Sequence, residues 1–115
     1  MALSEYVINF NYKQAIAKAD ELDAAAAKLE ADAVAEMDSI ISAINQNWTG
    51  DNAQAYIQKC TTEQTKITDV ATSIRNTAAT IRTMAENIRQ AEMAALRVAQ
   101  AAAEAARKAA EAIIH

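Results

Sequence analysis

Asn45-Gln46-Asn47-Trp48-Thr49-Gly50-Asp51-Asn52 is the stretch that decides the fold. It gathers the break-favouring residues of a chain that has no proline and, in Gly50, a single glycine. Glycine accepts a left-handed backbone without a Cβ clash, so it is favoured where a helix ends. Asp51 suits an N-cap, and Gln54 three positions later completes a capping box. The reading is helix, tight turn, helix.

The residues on either side agree. Alanine, the strongest helix former, fills 30 of the 115 positions, and 52% of residues are hydrophobic. A sandwich, barrel or α/β sheet would need turn residues that are missing here. The chain is short enough for one domain at most.

Upstream of the turn, a first helix is expected to start between Asn9 and Lys13 and to run to about Gln46. Its apolar stripe is Ala15, Ala19, Leu22, Ala26, Leu29, Ala33, Met37, Ile40 and Ile44, spaced by threes and fours, with Val34 and Ile41 widening one end. Val7-Ile8-Asn9-Phe10 leans toward β structure and reads as an extended lead-in.

Downstream, Cys60, Ile67, Ile74, Ile81 and Ile88 recur every seven residues, and Ala53, Ala95, Ala102 and Ala109 extend the series. Tyr56, Val70, Met84 and Val98 fall three residues after members of that set. A sustained heptad makes a seam for packing against other helices, with Cys60 as a small buried hydrophobe. At 1.5 Å per residue, a helix of about 36 residues spans about 54 Å, and one from Asp51 to Ile114 about 95 Å. The first helix can therefore cover only part of the second. Two helices do not enclose a core, so the expected form is a four-helix bundle of two hairpins, with the dimer as part of the fold. Residues 1–96 are read as the hairpin and 97–115 as an alanine-rich helical extension.

Charge narrows the partners. The net charge is −4, the wrong sign for neutralising phosphates, so no nucleic-acid partner is expected. Residues 1–47 hold three lysines against eight acids, 48–96 five bases against five acids, and 97–115 three bases against two acids. An acidic first segment facing a balanced second one suits helix on helix. Arg75, Arg82 and Arg89, each one place after an isoleucine, form a flanking row. Asp20, Asp23, Glu30 and Asp38, or a partner's acids, are its candidate counter-charges. Such exposed pairs contribute about 0–1 kcal/mol each but help set register and partner.

No run of 18 or more uncharged apolar residues is present, so stable membrane insertion is not expected. Met1-Ala2-Leu3-Ser4-Glu5 lacks the basic and apolar regions of a cleavable secretory signal. One cysteine and one histidine, His115, supply neither a disulfide framework nor a metal site, and His115 is assigned no role. No Ser/His/Asp or Cys/His arrangement, metal-ligand cluster or glycine-rich phosphate loop is found; no cofactor and no enzymatic activity are expected.

The remaining information is in Trp48-Thr49-Gly50. A Trp beside a turn packs a hairpin's end whatever else it does. Here it coincides with a chain near a hundred residues, a central Trp-X-Gly, no other glycine or proline, and Ala53 and Tyr56 three and six residues past the glycine. Over about residues 8–95 this resembles the Trp-X-Gly (WXG) family of small helical hairpins exported by type VII (Esx) secretion systems, the early-secreted-antigen-like proteins. The resemblance implies a homodimeric or heterodimeric four-helix bundle that leaves a Gram-positive or mycobacterial cell without a cleaved signal. It implies recognition by the secretion ATPase, and a role as secreted factor or as escort of a larger toxin. Location would be the bacterial cytoplasm before export, then the exterior or cell surface. Trp48 and Gly50 would be recognition residues in a composite export signal, with Tyr56 packing beneath them. The interface would be Leu22, Leu29, Met37, Ile40 and Ile44 with Cys60, Ile67, Ile74, Ile81 and Ile88, flanked by Arg75, Arg82 and Arg89.

The tail departs from the family pattern, in which a tyrosine is followed four residues later by Asp or Glu. The tyrosines here are Tyr6, Tyr12 and Tyr56, so residues 90–115 contain no such element. That favours a heteromeric role in which a partner, such as a toxin's helical N-terminal domain, supplies the other half of the signal. Two readings from other classes compete: a structural coiled-coil protein with a coincidental Trp-X-Gly, and membrane-active helices built on the alanine-rich tail and the arginine row.

Overall fold

The computed structural model describes residues 4–114, and 96% of it is helix. Helix α1 runs Glu5–Leu29, a π-helical turn follows at Glu30–Val34, α2 runs Ala35–Asn47, and α3 runs Asp51–Ile114. The Met1-Ala2-Leu3 part of the signal-peptide reading and His115 lie outside the described residues.

α1 begins earlier than the β-leaning lead-in implied. The Ser4 hydroxyl accepts a hydrogen bond from the Val7 amide at 3.2 Å, and the Ser4 carbonyl accepts one from Ile8 at 3.0 Å. Ser4 is thus an N-cap, which satisfies an amide that would otherwise have no partner. Among the described residues Ile8 is the largest fully buried side chain, 1% exposed. Burial of that one residue together with the cap outweighs a β-propensity worth only tenths of a kcal/mol per residue.

The start of α3 also differs from expectation. Its first closing bond runs from the Gln54 amide to the Gly50 carbonyl at 3.1 Å, so Gly50 occupies the cap position and Asp51 is already helical. Of the eight threonines in α3, Thr61, Thr62, Thr65, Thr68, Thr77 and Thr80 are tolerated in the helix interior because each hydroxyl donates to the carbonyl four residues back.

Two compact units are present, residues 18–80 and residues 4–17 with 81–114. In the first, α2 and the π turn lie against α3 in antiparallel register. Gln64 Nε2 donates to the Val34 carbonyl at 3.1 Å and to Asp38 Oδ1 at 2.6 Å, and Arg75 pairs with Glu30. Ala26, Ala71 and Ala78 are fully buried. In the second unit, Ile8 and Ala85 are buried and Arg89 lies over the Tyr12 ring, 5.0 Å from its centroid. Every described residue from Arg97 to Ile114 is exposed.

The buried row on α3 is therefore not the isoleucine heptad. Ala71, Ala78 and Ala85, four residues after Ile67, Ile74 and Ile81, are the buried positions, while those isoleucines are half-buried and Ile88 is 54% exposed. Small side chains let two helices approach closely, which pushes the bulky neighbours to the flanks of the contact. Cys60 and Ala53 of the predicted series are buried; Ala95, Ala102 and Ala109 are exposed.

Candidate functional site

The helix break at Trp48–Gly50 is built by local geometry. Asn47 ends α2 with its Nδ2 donating to the Ala43 carbonyl at 2.9 Å. Trp48 then turns extended, φ −141° and ψ 129°, while its amide still closes on the Ile44 carbonyl at 2.9 Å. Gly50 takes φ +107°, a region L-residues avoid. Nothing lies within 4 Å of where a Cβ on Gly50 would sit, so the requirement for glycine there is one of backbone angle rather than space. Gly50→Ala is expected to lower stability by about 1–2 kcal/mol through that angle alone, measured by thermal melting.

Trp48 and Tyr56 come together across this break, ring centroids 6.1 Å apart and planes at 49°. Both stay open to solvent, at 45% and 52%. The two aromatics thus pack on each other and not into a core. A pair of half-exposed rings that already brace each other is a surface that another protein can cover at little cost in ordering.

The predicted interface residues fall in different environments, and Cys60 among them is buried. Leu22, Leu29, Met37, Ile44, Ile67, Ile74 and Ile81 are half-buried, and Ile40 and Ile88 are exposed. Met37, Ile40, Tyr56, Lys59, Cys60 and Glu63 line one shallow opening within residues 18–80. The sequence pattern picked out these bulky positions but missed Ala71, Ala78 and Ala85. Their signal was present as a second heptad offset by four from the isoleucines.

The arginine row divides. Arg75 meets Glu30, one of its expected counter-charges; that hydrogen bond raises its pKa above the ordinary guanidinium value, and Asp23 adds to the same field. Arg89 instead turns to its own helix, donating to Glu86 at 2.7 and 3.1 Å. Arg82 is half-buried.

Arg89, and after it Gln90 at 3.1 Å, hold the Glu86 carboxyl below the usual carboxylate range. A depressed carboxylate pKa contributes stability that is fully present above the unfolded value and is lost as pH falls through the folded one. Melts from pH 6 down to pH 3 should therefore show a falling midpoint, and Glu86→Gln should flatten that fall. An unchanged slope in the variant would assign the acid sensitivity elsewhere.

Among the described residues no group of three or more His, Cys, Asp or Glu side chains is placed to hold a metal ion, and no helix is long and apolar enough to cross a membrane. No family model, curated protein or solved structure matches the chain.

Proposed function

We propose that this chain is a non-enzymatic WXG-type protein of a type VII secretion system, an exported substrate or an escort for a larger toxin, working by helix-on-helix binding. The observation that carries the reading is the exposed Trp48–Tyr56 pair set beside Gly50, the one positive-φ residue among the described residues. Core-capping alone gives no reason to leave two large aromatics half bare at a helix break. A recognition surface does, and the Trp-X-Gly resemblance supplies a recogniser in the secretion ATPase.

The row of half-buried bulky residues supports a second element of the proposal, a partner hairpin. Alanines occupy the buried row, and leucines, isoleucines and Met37 are left at its edge. Covering them with two more helices completes a four-helix bundle. The partner is a second copy or another helical-hairpin protein, including the helical N-terminal domain of a toxin. The missing tail tyrosine favours the latter.

Light scattering after size exclusion, with a circular dichroism melt alongside, tests this. A cooperative dimer near twice 12.4 kDa fits a homodimeric bundle, and a weakly helical, non-cooperative monomer fits a chain awaiting a different partner. A monomer that melts cooperatively at high temperature contradicts the partner requirement and favours a self-contained structural helix pair.

A further inference from the structure

The π turn at Glu30–Val34 coincides with a slip in the sequence pattern. The half-buried large residues Leu22, Leu29, Met37 and Ile44 are separated by seven, eight and seven positions. The neighbouring row, Ala19, Ala26, Val34 and Ile41, is separated by seven, eight and seven as well, with Ala19 and Ala26 fully buried and the other two half-buried. Both eight-residue steps cross the π turn. In an unbroken α-helix one extra residue would rotate everything beyond it by about 100°. A π turn takes up one extra residue, so the helix beyond it keeps its face.

We infer that Glu30–Val34 is a one-residue register insertion that keeps the apolar face of α2 in line with that of α1, pinned from α3 by Gln64 and Arg75. The pins sit at its two ends. Arg75 pairs with Glu30 at the start, and Gln64 donates to the Val34 carbonyl at the end and to Asp38 one turn on. Without the insertion, Met37 and Ile44 would face about a quarter-turn away from Leu22 and Leu29. No single partner helix could then cover all four. The sequence rows and the backbone geometry point to the same five residues independently.

Removing one residue inside the turn should be harmless, and removing one outside it should not. Ala31 lies in the turn and Ala24 upstream of it, and both are exposed. Without Ala31 the turn becomes ordinary α-helix, both rows run at seven throughout, and the melting midpoint should stay within about 5 °C of the parent. Without Ala24 the upstream rows are broken, and the midpoint should fall by about 10 °C or more, or cooperativity should vanish. Gln64→Ala should lower the midpoint of the full chain and cost less in the chain lacking Ala31, because its acceptor at Val34 belongs to the π turn. Equal damage from the two deletions, or greater damage from removing Ala31, overturns the register reading. Equal damage from Gln64→Ala in both backgrounds overturns the pin.

Discussion

Trp48→Ala should abolish export while leaving the fold standing. A fully buried tryptophan costs about 3–5 kcal/mol when cut to alanine, because its contacts vanish and a cavity remains. Trp48 is 45% exposed and pairs with Tyr56, itself 52% exposed, so less enclosed volume is vacated than in a core. The expected loss of stability is about 1–2 kcal/mol, comparable to that of Gly50→Ala. Export, if it depends on this surface, should drop to background. The structural coiled-coil reading makes the opposite forecast, since under it the substitution touches only packing and any change outside the cell follows stability alone. Comparing Trp48→Ala with a variant of matched stability loss elsewhere, Ile8→Val for instance, separates the two. Loss of export in proportion to melting temperature for both variants would remove the recognition role of Trp48.

Ala78→Leu should be the most damaging single substitution in the helix pairing. Ala78 is fully buried in a row of alanines on α3, where only a methyl group is accommodated without displacing its neighbours. Three extra carbons push the helices apart or force strained rotamers, at about 1–3 kcal/mol or somewhat more for a seam this tight. A fall of roughly 10–15 °C in the melting midpoint is expected on that basis. Ile88→Ala, which removes the same number of carbons from a residue 54% exposed, should hardly move the midpoint of the free chain. It should instead weaken association measured by light scattering, because its uncovered surface is what a partner helix would bury. If Ile88→Ala destabilises the free chain more than Ala78→Leu, the assignment of the alanine row as the inner seam is wrong.

These two contrasts show what was legible in the sequence. The helical class followed from alanine content and the missing breakers, and the interruption at Trp48–Gly50 followed from the one place where break-favouring residues cluster. Those signals are local and strong. Which face turns inward was less legible. Reading apolar bulk as burial selected the isoleucine heptad, whereas close approach of two helices rewards small residues, and Ala71, Ala78 and Ala85 carry no hydrophobic emphasis in so alanine-rich a chain. The helix start was misplaced because Val7 and Ile8 were weighed by β-propensity, while Ser4 as a cap and Ile8 as an anchor act through hydrogen bonding and burial. The π turn left a trace, the eight-residue step from Leu29 to Met37, but a stripe read loosely by threes and fours absorbs such a step without notice.

The site itself was only partly legible. Trp48, Gly50 and Tyr56 were singled out together, and their geometry is an exposed aromatic pair at a break. The fates of Arg75 and Arg89 were not separable from spacing. Both belong to one heptad row, yet one meets Glu30 and the other meets Glu86 on its own helix with Tyr12 beneath it. Such choices depend on which acids the antiparallel register brings near, and the register depends on the alanine seam.

Transport of this chain by a type VII machine is the proposed step. It is tested most directly by expressing the tagged chain in a bacterium with a working type VII system and in the same strain lacking the secretion ATPase, each with and without the chain's genomic neighbours, and quantifying intact chain in the medium. The account predicts full-length, uncleaved chain outside the cells only where the ATPase is present, increased by a cognate helical partner. Equal amounts outside both strains, or retention inside both even with the neighbours supplied, would contradict it.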